Sequence, residues 1–583
     1  MATVFVRIDD IAFLELLRFS SRLLYNMVLT LILLIATGFM TLSERSVEHL
    51  LFAIAALFIN SVLFLLIVAD VERAVLLSCI MAATITGASI VKYNHSALKL
   101  VVTDLPLVFA GTVPFFVTQY PRVVLAVVAG ALILTFASAA VLLWAAGSPI
   151  SLEFRMLSLS LTLIGLAAAF RVGGNAASSQ QSMTQRRFFY STFMASLIDP
   201  RSWRQFGKLA LSDIANEPLT LMEPVPARST DFPDIIILQH ESIFDPRIFG
   251  LPVEPIVASL LSPENGCHGR LNVDIFGGGS WQSEFSLLTG LSSASFGSSA
   301  YYLFKRGVGR FRSSLPHSLV ALGYKTSLAS SCRRRFLNYD EFYSSIGVNE
   351  RIFTDDLPPP FDVSHFESTN SDALFLDAVI DMHSKKIAHD PTPRFLYALT
   401  NFNHGPHNRR LVPLGKFEKE RAFAAASLPD ARYAEYYARL VETASTWQRL
   451  RSELKANFPG RPMLIVHYGD HQPVMAGQID RQLQLPSDAR RAFRTFYAIE
   501  TLNFIPDNFV AGPAADLDIA FLGTIALQKA GLPLDQVYAT RASLLDDCGE
   551  SYFASSSELK RKFHRTLVDL GLINLGPHCQ NGR

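Results

Sequence analysis

The chain is long, rich in hydrophobic residues and almost neutral. It has 583 residues, of which 50% are hydrophobic, and its 52 Lys and Arg residues nearly balance its 51 Asp and Glu residues. This length indicates two or more structural parts. No basic block stands out, so the charge pattern argues against a nucleic-acid partner.

Residues 1–170 are predicted to form a transmembrane domain of about five helices. A helix needs about 18 or more apolar residues to cross a bilayer. Five runs approach or exceed this length, the last of them if Leu152 extends it: Leu23 to Ser43, Leu50 to Ala69, Ala74 to Val91, Val123 to Ala146 and Met156 to Phe170. A further apolar run, Leu105 to Thr118, contains two prolines, and we interpret it as interfacial or re-entrant.

The charges that flank these runs predict the orientation in the membrane. Arg7, Arg18 and Arg22 precede the first run and favour a cytoplasmic N-terminus. Five crossings then place the C-terminal part outside the cytoplasm, in the periplasm or at the extracellular side of the inner membrane. The first run is too long for a cleavable signal peptide. The spans either anchor the protein or also give it access to lipid.

The rest of the chain has the pattern of an α/β domain. Residues 171–231 are predicted to contain a linker and interfacial helices. Three short apolar runs then follow, typical of strands buried on both faces of a parallel sheet: Ile235 to Leu238, Phe395 to Leu399 and Met463 to Val466. We therefore predict an α/β/α domain over residues 232–583, with its active site at the carboxyl ends of the strands.

Polar clusters at these predicted strand ends indicate a metal-dependent site. Glu241, Asp470 and His471 form an O/O/N set suited to one divalent ion, for which we expect Mn²⁺, with Zn²⁺ and Mg²⁺ as alternatives. Three glycines precede Ser280, and a metal beside its hydroxyl would make it a nucleophile. His404 can bind a phosphate oxygen or protonate a leaving alkoxide.

Each of these motifs also has an ordinary structural explanation. A histidine at a strand end is more often a satisfied surface or core residue, a GGGS run is usually a loop, and Asp-His before a proline is common in turns. The hypothesis of a site depends on their joint occurrence after buried strands.

Five cysteines leave the redox state open. Cys79 lies in an apolar run, and the others are Cys267, Cys332, Cys548 and Cys579. No two of them form a C-x-x-C pair, so two disulfides and free buried thiols are alternative interpretations.

The same motifs resemble a known family. The chain is similar to the lipoteichoic acid synthase and phosphoglycerol transferase family of the alkaline phosphatase–sulfatase superfamily, and more distantly to the lipid A phosphoethanolamine transferases. The family's acidic strand-end ligand corresponds to Glu241, its nucleophile frame to Gly279 through Phe285, and its Gly-Asp-His motif to Gly469 through His471. The resemblance implies that Ser280 replaces a nucleophilic Thr and that His404 binds substrate.

The headgroup segment departs from this family. Its Trp-Asn-Arg-Asp run corresponds to Leu337, Asn338, Tyr339 and Asp340, so the Trp and the Arg are missing. The resemblance implies substrate-binding roles for Asn338 and Asp340. Arg333, Arg334 and Arg335 lie just upstream and are candidate replacements for the missing Arg, and we assign Arg335 to the substrate site. A phosphoethanolamine or other phosphodiester donor is therefore an alternative to a phosphoglycerol donor. The modified-residue motif of sulfatases, with its Pro and Arg, is absent around Ser280.

The resulting hypothesis is a membrane-bound phosphotransferase. It would move a phospho-headgroup from a phospholipid to an envelope glycan or glycolipid through a phospho-Ser280 intermediate. A hydrolase that uses the same site and a non-catalytic envelope assembly protein are the alternatives.

Overall fold

The computed structural model describes fifteen stretches of the chain that together cover most of both halves. They are residues 43–44, 46–96, 99–104, 121–144, 149–174, 187–204, 209, 211, 213–228, 231–334, 336–357, 360–361, 370–405, 407–506 and 509–576. Two compact units, Met1–Phe206 and Gly207–Arg583, divide the chain. The predicted first span lies outside the described residues except at Ser43, as does the whole run Leu105 to Thr118.

The first unit is helical. Its described α-helices are α1 (Val47–Val68), α2 (Val71–Ser96), α3 (Pro121–Trp144), α4 (Leu152–Ala169), α5 (Phe189–Ile198) and α6 (Pro200–Arg204). Ala69 ends α1 in the left-handed conformation, with φ of 55°, and α2 begins two residues later. The apolar helix α5 is buried against the longer helices, where Phe52, Ala56 and Tyr190 belong to one cluster.

Three helical segments in the described residues are long and apolar enough to cross a membrane: Val47–Val68, Val71–Tyr93 and Leu152–Gly174. They coincide with the predicted second, third and fifth spans. The predicted fourth span coincides with the 24-residue helix α3. The described apolar part of this helix is Val124–Ala140. Three of the five predicted spans thus form helices with the length and composition that a membrane span requires.

The second unit is an α/β domain built on a nine-stranded sheet. The strands are β1 (Asp234–His240), β2 (Gly266–Asn272), β3 (Lys325–Ser330), β4 (Glu350–Phe353), β5 (Arg394–Leu399), β6 (Met463–Gly469), β7 (Arg494–Leu502), β8 (Gly512–Pro513) and β9 (Leu517–Asp518). Its α-helices are α7 (Pro255–Leu261), α8 (Ser280–Thr289), α9 (Leu303–Arg306), α10 (Leu315–Ala321), α11 (Tyr339–Ser345), α12 (Asp372–His389), α13 (Glu418–Ser427), α14 (Ala431–Asn457), α15 (Ala476–Gln482), α16 (Ile519–Lys529), α17 (Gln536–Cys548) and α18 (Glu558–Asp569).

The sheet is mostly parallel, as predicted. Its order is β4-β3-β5-β1-β6-β7-β2-β8, and β9 also pairs with β2. The long strand β7 runs antiparallel to both of its neighbours, β6 and β2. Because β6 and β2 therefore run in the same direction, the segments that follow β1, β5, β6 and β2 all leave the sheet at one edge.

Helices cover both faces of this sheet. Along β1, Ile235 and Ile237 belong to one apolar cluster, whereas Ile236 and Leu238 belong to another. Successive side chains of a strand point to opposite faces, so the two clusters are cores on the two sides of the sheet. Helices α8 and α16 contribute to the first core, and α12 and α14 contribute to the second. This is the three-layer arrangement that the apolar runs predicted.

Candidate metal and nucleophile site

The pairing of the two central strands brings two acidic residues together. His240, the last residue of β1, is the register partner of Gly469, the last residue of β6. Glu241 and Asp470 therefore leave the sheet side by side. A Cβ atom at Gly469 would lie only 1.8 Å from the carbonyl oxygen of Ile243, so this close approach requires glycine.

Glu241, Asp470 and His471 form a compact buried cluster. One ligand atom of each lies within 4.8 Å of the others, and this is the one group of acidic, His or Cys side chains in the described residues with the spacing of a metal site. His471 Nε2 is 3.4 Å from Glu241 Oε1 and 3.7 Å from Asp470 Oδ2. All three residues are at most 4% exposed.

Ser242 links the two carboxylates and was missed by the sequence analysis. Its hydroxyl donates to Glu241 Oε1 at 2.7 Å, and its backbone N–H donates to Asp470 Oδ1 at 2.8 Å. It does so with φ of 56°, an unfavourable conformation for a residue with a side chain. Its place directly after Glu241 was the available signal.

Ser280 lies at the start of α8, beside this cluster. Gly277, Gly278 and Gly279 have φ values of 80°, 146° and 94°, which explains why three glycines precede it. The Ser280 hydroxyl donates to Glu241 Oε2 at 2.9 Å, and its oxygen is 3.3 Å from His471 Nε2. The positive end of the ten-residue α8 adds a favourable environment for an anion.

Burial makes the charges of the two acids interdependent. Burial and the neighbouring charge of Glu241 raise the pKa of Asp470 well above its usual range. Burial also acts to raise the pKa of Glu241, but His471, His404 and hydrogen bonds leave that pKa below its ordinary value. Two buried carboxyl groups this close ionise together only when a cation compensates them.

The donor set fits a divalent cation. Asp470 Oδ2 is buried and has no hydrogen-bond partner among the described residues, an arrangement that is costly unless a cation satisfies it. His471 Nδ1 lies 3.0 Å from the carbonyl oxygen of Gln472, which can only accept a hydrogen bond. The hydrogen on Nδ1 leaves the lone pair of Nε2 for a ligand on the cluster side.

His404 follows β5 in a loop near the cluster. Its Nδ1 lies 2.7 Å from the carbonyl oxygen of Gly405, so Nδ1 donates and Nε2 is available to substrate. Its charge contributes to the low pKa of Glu241. The sequence-predicted residues Glu241, Ser280, His404, Asp470 and His471 therefore lie at one edge of the sheet.

The other predicted substrate residues are placed differently. Asn338 precedes α11 in the left-handed conformation, with φ of 63°. Asp340 Oδ1 accepts hydrogen bonds from Arg334 at 2.8 Å and Arg351 at 2.7 Å. Its carboxylate is therefore engaged by protein groups. Arg335 lies outside the described residues.

A buried polar network on α8 was also missed. Glu284 accepts hydrogen bonds from Gln239 at 3.2 Å, from Tyr339 at 3.0 Å and from Tyr343. These contacts connect α8 to β1 and α11. Glu284 belongs to the Glu-Phe pair of the nucleophile motif, but its partners are distant in sequence.

The four described cysteines, Cys79, Cys267, Cys332 and Cys548, are free thiols. In the α/β domain, burial raises the pKa of Cys267, Cys332 and Cys548. These thiols are therefore poor nucleophiles. Cys579 lies outside the described residues.

Comparison with solved structures finds several proteins that are similar to part of this chain. They include the lipoteichoic acid synthase LtaP from Listeria monocytogenes (16% identity, 53% of this chain and 76% of that chain, TM-score 0.43). They also include the phosphoglycerol transferase GacH from Streptococcus pyogenes in complex with sn-glycerol-1-phosphate (16% identity, 59% of this chain and 87% of that chain, TM-score 0.45). A third is the C-terminal periplasmic domain of EptC from Escherichia coli in complex with Zn (15% identity, 54% of this chain and 87% of that chain, TM-score 0.36).

Sequence comparison identifies the domain itself. A curated relative, an uncharacterized protein of Haemophilus influenzae, is 22% identical over 334 residues, which are 56% of this chain and 59% of that protein. The chain thus spans less than two thirds of the length of that relative. Residues 233–495 match the sequence profile of the sulfatase family, and they contain β1, α8, His404 and the Asp470-His471 motif. This segment is therefore similar to the sulfatase family, in agreement with the resemblance to the alkaline phosphatase–sulfatase superfamily that the motifs indicated.

Proposed function

We propose that this protein is a membrane-bound phosphotransferase that moves a phospho-headgroup from a phospholipid to a hydroxyl of an envelope glycan or glycolipid. The observation that carries the proposal is the position of Ser280. Its hydroxyl lies at a helix start, within hydrogen-bonding distance of Glu241 and His471, in a cluster suited to a divalent cation. Glu241, Asp470, His471 and Ser280 would hold that ion.

The proposed first step forms a covalent bond between Ser280 Oγ and phosphorus. A divalent ion, when bound, would neutralise the two carboxylates and lower the pKa of the serine hydroxyl. Glu241, which already accepts the Ser280 hydrogen bond, orients the oxygen and takes its proton. The bond between phosphorus and the diacylglycerol oxygen breaks, and the departing oxygen takes a proton from His404.

The proposed second step returns Ser280 to its starting state. The acceptor hydroxyl attacks phosphorus and gives its proton to His404. The bond between phosphorus and Ser280 Oγ breaks, and the serine oxygen recovers its proton from Glu241. Attack by water in place of the acceptor would make the protein a phosphodiester hydrolase, so the chemistry of Ser280 is common to both reactions.

The membrane helices support a lipid donor. Three segments have the length and composition of membrane spans. In this proposal residues 1–170 form the membrane domain, 171–231 a linker with interfacial helices, and 232–583 a catalytic domain outside the cytoplasm. Phosphoglycerol and phosphoethanolamine are the two candidate headgroups.

The test uses the full chain in detergent with headgroup-labelled phosphatidylglycerol or phosphatidylethanolamine. The proposal predicts release of diacylglycerol, label on the peptide that contains Ser280 and transfer of label to an added glycan. Release of free headgroup phosphate at the same rate with and without the glycan would assign hydrolysis instead. Absence of both products, with metal bound, would favour a non-catalytic role.

A further inference from the structure

The loop that carries His404 is held by one face of a neighbouring helix. Helix α14 presents Glu435, Arg439 and Thr443 at four-residue intervals, so they lie on one face, one turn apart. Each contacts the loop or a group bound to it. The described part of this loop, residues 402–405 and 407–412, is called the His404 loop here.

Arg439 donates hydrogen bonds to backbone carbonyl groups along the His404 loop. Its guanidinium donates to the carbonyl oxygens of Phe402 at 3.1 Å, His404 at 3.0 Å and Arg409 at 2.8 Å. It also donates to Glu435 at 2.9 Å. The side chain is 0% exposed, so its charge must be compensated by protein groups such as these acceptors.

Glu435 binds the complementary groups of the same loop. Its Oε1 accepts hydrogen bonds from the backbone N–H groups of Leu411 at 2.8 Å and Val412 at 3.3 Å. Its Oε2 accepts from Arg421 at 2.7 Å. Two residues one helical turn apart thus bind three carbonyl groups and two N–H groups of one loop.

The third residue of the face secures the start of the loop. Thr443 donates to Asp372 Oδ2 at 2.7 Å, and Asp372 Oδ1 accepts from the backbone N–H of Phe402 at 3.1 Å. Hydrogen bonds therefore hold the loop to α14 on both sides of His404. They fix the backbone position from which the imidazole extends, relative to the edge of the sheet.

We infer that Glu435 and Arg439 are positioning residues that hold the His404 loop so that His404 faces the phosphate group at Ser280. The clamp itself follows from the contacts above, and its effect on His404 chemistry rests on the proposed function. Neither side chain touches Ser280 or the metal cluster in the described contacts, so both act through the loop.

A matched control exists in the same domain. Arg461 also donates to three carbonyl oxygens, those of Ile387, Asp390 and Thr392, and pairs with a buried acid, Asp234. Asp234 begins β1, so this arrangement lies at the opposite edge of the sheet from Glu241. Replacing Arg461 removes a similar set of bonds far from the His404 loop.

The first experiment reads the loop directly and needs no enzymatic activity. Trypsin cleaves after the exposed residues Arg409 and Arg410 only when the loop opens locally. In the full chain in detergent, Arg439→Gln and the milder Arg439→Lys should speed cleavage there by about tenfold or more, whereas Arg461→Gln and Arg461→Lys should not. Equal rates in the Arg439 variants and the wild type would overturn the clamp. Should Arg439→Gln fail to fold, Arg439→Lys decides.

The second experiment tests the action through His404. As a single substitution, Arg439→Lys should lower kcat with little change in KM for the phospholipid. In a protein that already carries His404→Ala, it should cause no further loss of kcat. Equal losses in both backgrounds would show a merely structural role and refute positioning. If the wild type shows neither transfer nor hydrolysis, the proposed function and the positioning of His404 fail together, whereas the trypsin result still decides the clamp.

Discussion

The phenol of Tyr339 donates a hydrogen bond of 3.0 Å to Oε1 of Glu284, on the same helix that begins at Ser280. Burial raises the pKa of Glu284 to about 7, although its hydrogen bonds act in the opposite direction. The folded protein therefore favours the protonated carboxyl group, in contact with Tyr339, Tyr343 and Gln239.

This shift predicts a loss of stability with rising pH. A carboxyl group whose pKa is raised on folding makes its full contribution to stability when the pH is below 4.5, its pKa in the unfolded chain. This contribution is lost as the pH rises through about 7, its pKa in the folded protein. The loss is on the order of 3 kcal/mol. Glu284→Gln, which stays neutral, should remove this part of the pH dependence in thermal unfolding between about pH 5 and pH 8.

Glu500 is the control for this measurement. It is 2% exposed, but its pKa is lowered, because His467, Arg451 and Trp447 outweigh burial. Its contribution is lost as the pH falls, the opposite sign. Glu500→Gln should therefore leave the alkaline loss intact, and an unchanged alkaline loss in Glu284→Gln would contradict the assignment.

Ser280→Ala should abolish turnover and covalent labelling while the fold is retained, because it removes one hydroxyl at the start of α8. Ser286→Ala, in the same helix, removes a hydroxyl that donates to Asp274 at 3.1 Å, and it should cost stability but keep turnover. Kinetics and mass spectrometry of the Ser280 peptide provide the measurements. Transfer by Ser280→Ala at the wild-type rate would refute the covalent mechanism.

Asp470→Asn should lose bound metal and activity together. Asp470 is 0% exposed and one of its oxygens has no hydrogen-bond partner among the described residues, so a neutral amide leaves a cation poorly compensated. Metal content of the purified protein is the measurement, and chelation of the wild type should lower Tm because a ligand of the folded state is removed. Asp488→Asn, which changes an acid that pairs with Arg494 and lies outside this ligand group, should retain the metal. Metal retention by Asp470→Asn would argue against the ligand set.

Two neighbouring arginines should have separable roles. Arg334 is bound to Asp340 at 2.8 Å and Asp356 at 2.6 Å, whereas Arg333 has a buried Nε without a partner in the described structure. Arg334→Ala should mainly lower Tm. Arg333→Ala should lower kcat/KM for the phospholipid by about tenfold or more, the value of a charged hydrogen bond to phosphate. Unchanged kcat/KM for both phosphatidylglycerol and phosphatidylethanolamine in Arg333→Ala would exclude a headgroup role.

The C-terminal domain should face away from the cytoplasm. The charges before the first predicted span and the count of five spans support this orientation. A reporter enzyme that is active only in the periplasm, fused after Arg583, should be active, and a reporter that needs the cytoplasm should be silent. The reverse result would contradict the predicted topology.

The sequence predicted the centre of the sheet better than its rim. The runs around Ile236, Tyr397 and Ile465 are continuous and apolar because β1, β5 and β6 are buried on both faces, and this pattern is readable without partners. Strand β2 contains Gly266, His268 and Arg270, and its pairing with β7, β8 and β9 places it in the sheet. Such a dependence on distant residues leaves no local signal.

Some residues of the candidate site could be predicted from the sequence, and some of its contacts could not. Glu241 and Asp470 could be predicted because each directly follows a predicted strand. The engagement of Asp340 by Arg351 could not, because it depends on how β4 is placed next to β3. The contact of Arg439 with His404 joins residues 35 positions apart, and it depends on the orientation of α14 in the fold.

The antiparallel strand β7 has a consequence for synthesis and export. The strands that flank β2 in the sheet, namely β7, β8 and β9, all come later in the chain than Ser280. Strand β2, which leads into the segment that carries the nucleophile, therefore has no partner in the sheet until residues 494–502 have emerged. If the domain crosses the membrane as an unfolded chain, β2 joins the sheet only late in translocation, and a chain truncated before β7 has its metal ligands but an unpaired β2.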